Sequence, residues 1–161
     1  MIEKKESRFS TEDAFLVGVV FGDLTLDKVN EHLEELELLA KTAGANVVHC
    51  YTQKLNRINP SFLIGPGKAQ IIIEHAKSLN VKLVIFDDEL SPAQIKNFSN
   101  LSKSVKVIDR STLILQIFSQ NAKTKEAKTQ VELAQLEYLL PRLTRAWTHL
   151  ERQMGGIGTR A

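Results

Sequence analysis

"VKLVIFDDELSPAQIKN", Val81–Asn97, is the stretch on which the fold turns. Its first part, Val81 to Phe86, is a short apolar run of the kind a strand shows when both its faces are buried. Three carboxylates follow at once. Then Ser91 carries the marks of a helix start: an N-cap hydroxyl, Pro92 at the first helical position, and Gln94 where a capping box needs Glu or Gln. A buried strand passing through a polar loop into a capped helix is one half of a β–α–β unit.

The same alternation extends in both directions. Upstream, "AFLVGVVF" (Ala14–Phe21) is another nearly continuous apolar run. Thr25 can cap a helix through "LDKVNEHLEELELLAKTAG", with Val29, Leu33, Leu36 and Ala40 on one face and Gly44 as its stop. "ANVVHCY" is a second strand, and "NPSFLIGPGKAQ" is a turn-rich lead into a helix, "AQIIIEHAKSLN". Downstream, "SVKVID" is a fourth strand and "RSTLILQIFSQ" begins another helix. No Asn-Gly or Asp-Gly hairpin turn separates the strands. The expected fold is α/β, a small and mostly parallel four-stranded sheet flanked by helices.

Composition sets bounds on the rest. With 161 residues, 43% hydrophobic and 25% charged, the chain has the make-up of an ordinary globular protein. Its apolar runs are too short to span a bilayer, and "MIEKKESRFSTED" at the N-terminus lacks the apolar core of a secretory signal. The single cysteine, Cys50, excludes an internal disulfide and fits a reducing, cytoplasmic setting. Charge is uneven: residues 1–102 hold 11 Lys/Arg against 14 Asp/Glu, whereas residues 103–161 hold 10 against 5. A near-neutral body with a basic extension suits an anionic partner, although a solvated basic helix face would have the same composition.

That extension begins near residue 121, which divides the chain into an α/β part (1–120) and a helical part (121–161). Leu133, Leu136, Leu140, Leu143, Trp147 and Leu150 are spaced 3, 4, 3, 4, 3, a heptad seam that needs a facing helix. Pro141 inside it predicts a kink. The run ends in "RQMGGIGTRA", helix-ending and loop-forming sequence. The expectation is half of a helical hairpin, with a second antiparallel helix to follow the turn. Without that helix the apolar seam would be a surface for weak self-association of an otherwise monomeric chain.

Three features could carry chemistry. "IGPGKA" (Ile64–Ala69) could cradle phosphate ahead of a helix. It is not a Walker A loop, because Phe62 and Ala69 stand where Gly and Ser or Thr are required; a turn at Gly65–Lys68 that starts a helix is the simpler expectation. Asp87, Asp88 and Glu89 follow a buried strand, where α/β sheets place ligands, and could hold a hard cation. The simpler expectation is a solvated loop favouring the positive end of the next helix. His32, His49, His75 and His149 are scattered through the sequence, and His49 and Cys50 should point to opposite faces of a strand, which gives no zinc or Cys-His pattern. The third feature is a basic stripe, Arg142, Arg145, His149 and Arg152, on one helix face. It runs into Gln153, Gly155, Gly156, Gly158 and Arg160, where arginine forks and bare backbone could meet the phosphates of folded RNA.

Several segments together, "FLIGPGKAQII", "VIFDDELSPAQIKN", "KVIDRSTLILQIF" and "KTQVELAQLEYLLPRLTRAWTHLERQMGGIG" with the closing "TR", resemble the N-terminal region of the HflX-type GTPases. The resemblance runs from about Ala14 to Arg160. It implies a parent protein that hydrolyses GTP with Mg²⁺ in a domain absent from these residues. It also implies binding to the large ribosomal subunit, with a role in splitting or rescuing stalled ribosomes under stress. The loop at Arg152–Arg160, fed by Arg142, Arg145 and His149, would then reach toward ribosomal RNA near the peptidyl transferase centre. No GTP-binding or metal residue of that family falls in this chain, which would be inactive as a GTPase by itself. The alternative is an α/β domain binding a small molecule or nucleotide through Asp87, Asp88, Glu89 and the Gly65–Lys68 turn.

Overall fold

The computed structural model describes residues 12–121, together with Leu133 and Glu137. The chain divides into two compact units, Met1–Gln120 and Asn121–Ala161. In the first, four strands alternate with four helices: β1 (Glu12–Val20), α1 (Leu26–Thr42), β2 (Ala45–Lys54), α2 (Pro66–Ser78), β3 (Leu83–Phe86), α3 (Pro92–Leu101), β4 (Lys106–Asp109) and α4 (Arg110–Asn121). All strand pairs are parallel, in the order β2-β1-β3-β4.

Burial on both faces explains the unbroken apolar strands. Phe15, Val17 and Val19 of β1 pack with Ala69, Ile72, Ile73 and Ala76 of α2 and Phe98 of α3. Ala14 and Leu16 point the other way, into Val29, Leu33, Leu36 and Ala40 of α1 and Leu113 and Ile117 of α4. The four apolar positions anticipated for α1 are therefore its buried stripe. Gly18 is required here, because a Cβ in its place would lie 2.8 Å from Val29 Cγ1 and 3.2 Å from a Leu33 methyl. The bare backbone lets α1 approach the sheet closely.

Helix ends follow the sequence signals. Thr25 Oγ1 accepts from Lys28 N at 3.1 Å, and Gly44 takes a positive φ of 99° just after α1. The capping box is complete: Ser91 Oγ accepts from Gln94 N at 3.1 Å while Ser91 N donates to Gln94 Oε1 at 2.8 Å. Two boundaries shift. The turn at Gly65–Lys68 does start a helix, but α2 begins inside it, at Pro66 with Gly65 as its N-cap. Proline at N1 has no N–H to lose, so the helix starts three residues before Ala69. β2 also runs three residues beyond Tyr51, since pairing with β1 continues to Val20 and Lys54.

Leu133 and Glu137 are helical, and Leu133 is 51% exposed. The rest of the proposed heptad seam, Pro141, and the stripe from Arg142 to Arg160 lie outside the described residues.

Candidate functional site

Strand order marks where a ligand would sit. From β1 the chain steps outward to β2, then crosses back over β1 to β3, so the connections diverge at the carboxyl ends of β1 and β3. Pairing of β1 with β3 stops at Val17 and Phe86, after which Asp87 N still donates to Val17 O at 2.9 Å. β1 then outruns β3, leaving a step edged by Asp87 and Asp88.

A charged cluster fills this step. Arg110, the first residue of α4, donates from Nη2 to Glu35 Oε1 at 3.2 Å and to the His32 carbonyl at 3.3 Å. Its Nε lies 3.1 Å from Asp87 Oδ1, and His32 Nδ1 lies 3.7 Å from Asp87 Oδ2. Asp87 Oδ1 and Arg110 Nε are both buried, and the N–H is not aimed well enough to form a hydrogen bond. Their attraction is an ion pair of poor angle. Asp88 is shielded from water beside Asp87, and this burial, with the neighbouring carboxylate, raises its pKa; His32 acts in the opposite direction.

Beneath the cluster Asp109 is 1% exposed. Its Oδ2 accepts from Leu90 N at 2.9 Å and its Oδ1 from Thr112 N at 3.0 Å. The carboxylate thereby ties the β3–α3 loop to the first turn of α4 and satisfies a helix-terminal N–H. Neither Arg110 nor Asp109 was recognised from sequence. The available signal was their place at the carboxyl end of a strand, the same logic that singled out Asp87, Asp88 and Glu89.

The acidic loop is thus not simply solvated: Asp87 is held by Arg110 and His32 from two other elements. Gly65 belongs to a different place, donating its N–H to Gln53 Oε1 at 3.2 Å at the end of β2. The two halves of the small-molecule reading sit on opposite sides of the sheet, Asp87 with α1 and α4, and Gly65 with α2.

Three of the histidines, scattered in sequence, join clusters in the fold. His32 faces Asp87. His49 and His75 pack edge to face with ring centroids 5.2 Å apart, and Tyr51 OH is hydrogen-bonded to His75 Nδ1. Burial raises the Tyr51 pKa, and Lys68 Nζ sits 5.3 Å over its ring. Neighbouring strands and a crossing helix bring these rings together, which no linear spacing shows. Cys50 lies on the other face, as alternation requires; burial and the nearby Glu37 carboxylate raise its pKa and disfavour the reactive thiolate.

These residues do not fit a GTP–Mg²⁺ site. The Gly-Lys pair is in the first turn of α2 with Ala69 after it, and among the described residues no three His, Cys, Asp or Glu side chains converge as a cation site. No helix among them is long and apolar enough to cross a membrane.

Comparison with known proteins adds what the geometry leaves open. Residues 30–119 match the family described as GTP-binding GTPase N-terminal, and residues 121–161 match the GTP-binding GTPase middle region. GTPase HflX of Flavobacterium psychrophilum is 48% identical over 160 residues, covering 99% of this chain and 38% of that protein. GTPase HflX of Escherichia coli is 48% identical over 149 residues, covering 92% of this chain and 34% of that protein. The chain therefore spans little more than a third of the length of these curated relatives. Among solved structures, a GTP-binding protein of Sulfolobus solfataricus in complex with GDP superposes with a TM-score of 0.62 at 28% identity, over 93% of this chain and 44% of that one.

Proposed function

The chain belongs to the HflX family of GTP-binding proteins, and on that premise we propose that it is the ribosome-binding N-terminal region of such a GTPase. Its partner is ribosomal RNA of the large subunit near the peptidyl transferase centre, and its role lies in splitting or rescuing stalled ribosomes in the cytoplasm, notably under stress. The observation that carries this reading is the stripe Arg142, Arg145, His149 and Arg152 running into Gln153, Gly155, Gly156, Gly158 and Arg160. Cations at helical spacing beside a glycine-rich segment suit a surface of folded phosphates. GTP and Mg²⁺ serve the whole protein through a part that the 161 residues do not include. The α/β unit supplies a rigid platform, and the helical unit supplies the probe.

Co-sedimentation with large ribosomal subunits at low and high salt tests the proposal. Binding should fall with salt, and replacing Arg142, Arg145 and Arg152 together with Gln should weaken it and flatten its salt dependence. Unchanged binding and salt dependence in that variant would sink the reading.

A further inference from the structure

RNA binding leaves the ring cluster of His49, Tyr51 and His75 without a role. The irregularity in β2 decides which face His49 takes. Ala45 and Val47 belong to the layer packed by α1, whereas Tyr51 packs with the layer of α2. Strict alternation would put Val47, His49 and Tyr51 on one face. The extra residue Val48 breaks that alternation: Ala14 pairs with Val47 but Phe15 with His49, so the positions after it are turned over. Bulges re-aim side chains in this way, often beside a functional site. Here the bulge carries His49 to the α2 side, against His75.

The cluster is open. Among the described residues β2 pairs only with β1, at the edge of the sheet. His49 is exposed, and Tyr51 and His75 are half-buried over the fully buried Phe15. The His49 ring forms no hydrogen bond among the described residues. His75 forms one, between Nδ1 and the Tyr51 hydroxyl. With Nδ1 protonated and donating to that oxygen, Nε2 keeps its lone pair. A metal-binding imidazole is commonly held in this way, through its second nitrogen.

The two imidazoles cross at 80° with their centres 5.2 Å apart. Imidazole nitrogens about 2.0–2.1 Å from one zinc ion, placed tetrahedrally, put the ring centres roughly 5 Å apart. Ring packing alone would accept about 4.5–7 Å. The bulge, the free nitrogens and the Tyr51 bond are what set this pair apart from a packed one.

We infer that His49 and His75 bind a borderline divalent cation of the zinc or copper kind, with Tyr51 as the positioning residue for His75. No third His, Cys, Asp or Glu joins them among the described residues, so the remaining coordination positions fall to water. The Lys68 ammonium, 5.3 Å over the Tyr51 ring, adds repulsion. Both features make the binding exchangeable rather than structural. Imidazole without carboxylate selects such ions over Mg²⁺. The inference is independent of the RNA-binding reading.

Calorimetric titration of zinc chloride into the untagged 161-residue chain, in a buffer that does not bind zinc, tests the site. One ion per chain should bind, and His49→Ala and His75→Phe should each abolish that binding. His49 is exposed, and His75→Phe keeps a ring in the cluster, so both variants should stay folded by circular dichroism. Tyr51→Phe should weaken binding roughly tenfold. His32→Ala, Cys50→Ser and His149→Ala should bind as the unaltered chain does. In NMR spectra of the imidazole nitrogens, zinc should shift His49 and His75 together and leave His32 in place. No binding by the unaltered chain, or binding that survives His49→Ala, overturns the site. Loss in His32→Ala, Cys50→Ser or His149→Ala also overturns it, because the ion would then lie elsewhere. Unchanged affinity in Tyr51→Phe overturns the role given to Tyr51.

Discussion

At the scale of single residues, Asp109 and Gly18 each hold the unit in shape. Asp109→Ala would leave Leu90 N and Thr112 N without their buried acceptor, and should cost about 3 kcal/mol in urea unfolding. Asp109→Asn keeps one acceptor oxygen and should cost less. Gly18→Ala should destabilise by about 2 kcal/mol, because its methyl must displace Val29 or Leu33 in a close-packed layer. Asp88 makes a prediction in pH. Its folded pKa is raised above the ordinary 3.8, so the native state holds this proton more tightly than the unfolded chain does. Its contribution is therefore full below that value and is lost as pH rises through the folded pKa. Asp88→Asn should raise the thermal midpoint at neutral pH, with the two proteins converging in acid. These three residues differ in how far sequence reveals them. Asp88 lay within the suspect loop, but Gly18 is one glycine in an apolar run, and its need appears only when α1 is laid against it.

At the scale of elements, helix starts were the most legible feature because their chemistry is local. Ser91, Pro92 and Gln94 act within one turn of each other, and each does what its position predicts. Ser91→Ala should cost about 1 kcal/mol by chemical denaturation. Gln94→Ala should cost more, since Gln94 also donates to the Asn59 carbonyl and so holds the β2–α2 loop. That second bond joins residues 35 positions apart and leaves no trace in local pattern. Strand edges were read less well. β2 bends at an irregularity opposite Ala14 and Phe15, where Val48 is an extra residue, and continues past its apolar portion. An edge strand is half solvated, so polar Thr52, Gln53 and Lys54 are tolerated in it and the hydrophobic pattern stops short of the true end.

At the scale of the whole molecule, Arg110 is the residue through which α1, β3 and α4 are joined. Arg110→Ala should cost about 2 kcal/mol, because it leaves the Asp87 carboxylate partly buried beside no fixed cation. Urea unfolding of this variant beside Arg110→Lys, which keeps a cation there, would check the cause. The α/β class, the four strands and helices, the cap chemistry and the buried stripe of α1 were determined by sequence alone. Each depends on contacts within a turn or on periodicity along one element, and the chain carries that information in order. The stripe from Arg142 to Arg152 lies outside the described residues. Only the tertiary structure decided that Asp87 meets Arg110 and His32, and that His49 and His75 share one ring cluster with Tyr51. Those neighbours are set by strand order and helix packing, which bring distant positions within a few ångströms and are encoded in no local spacing.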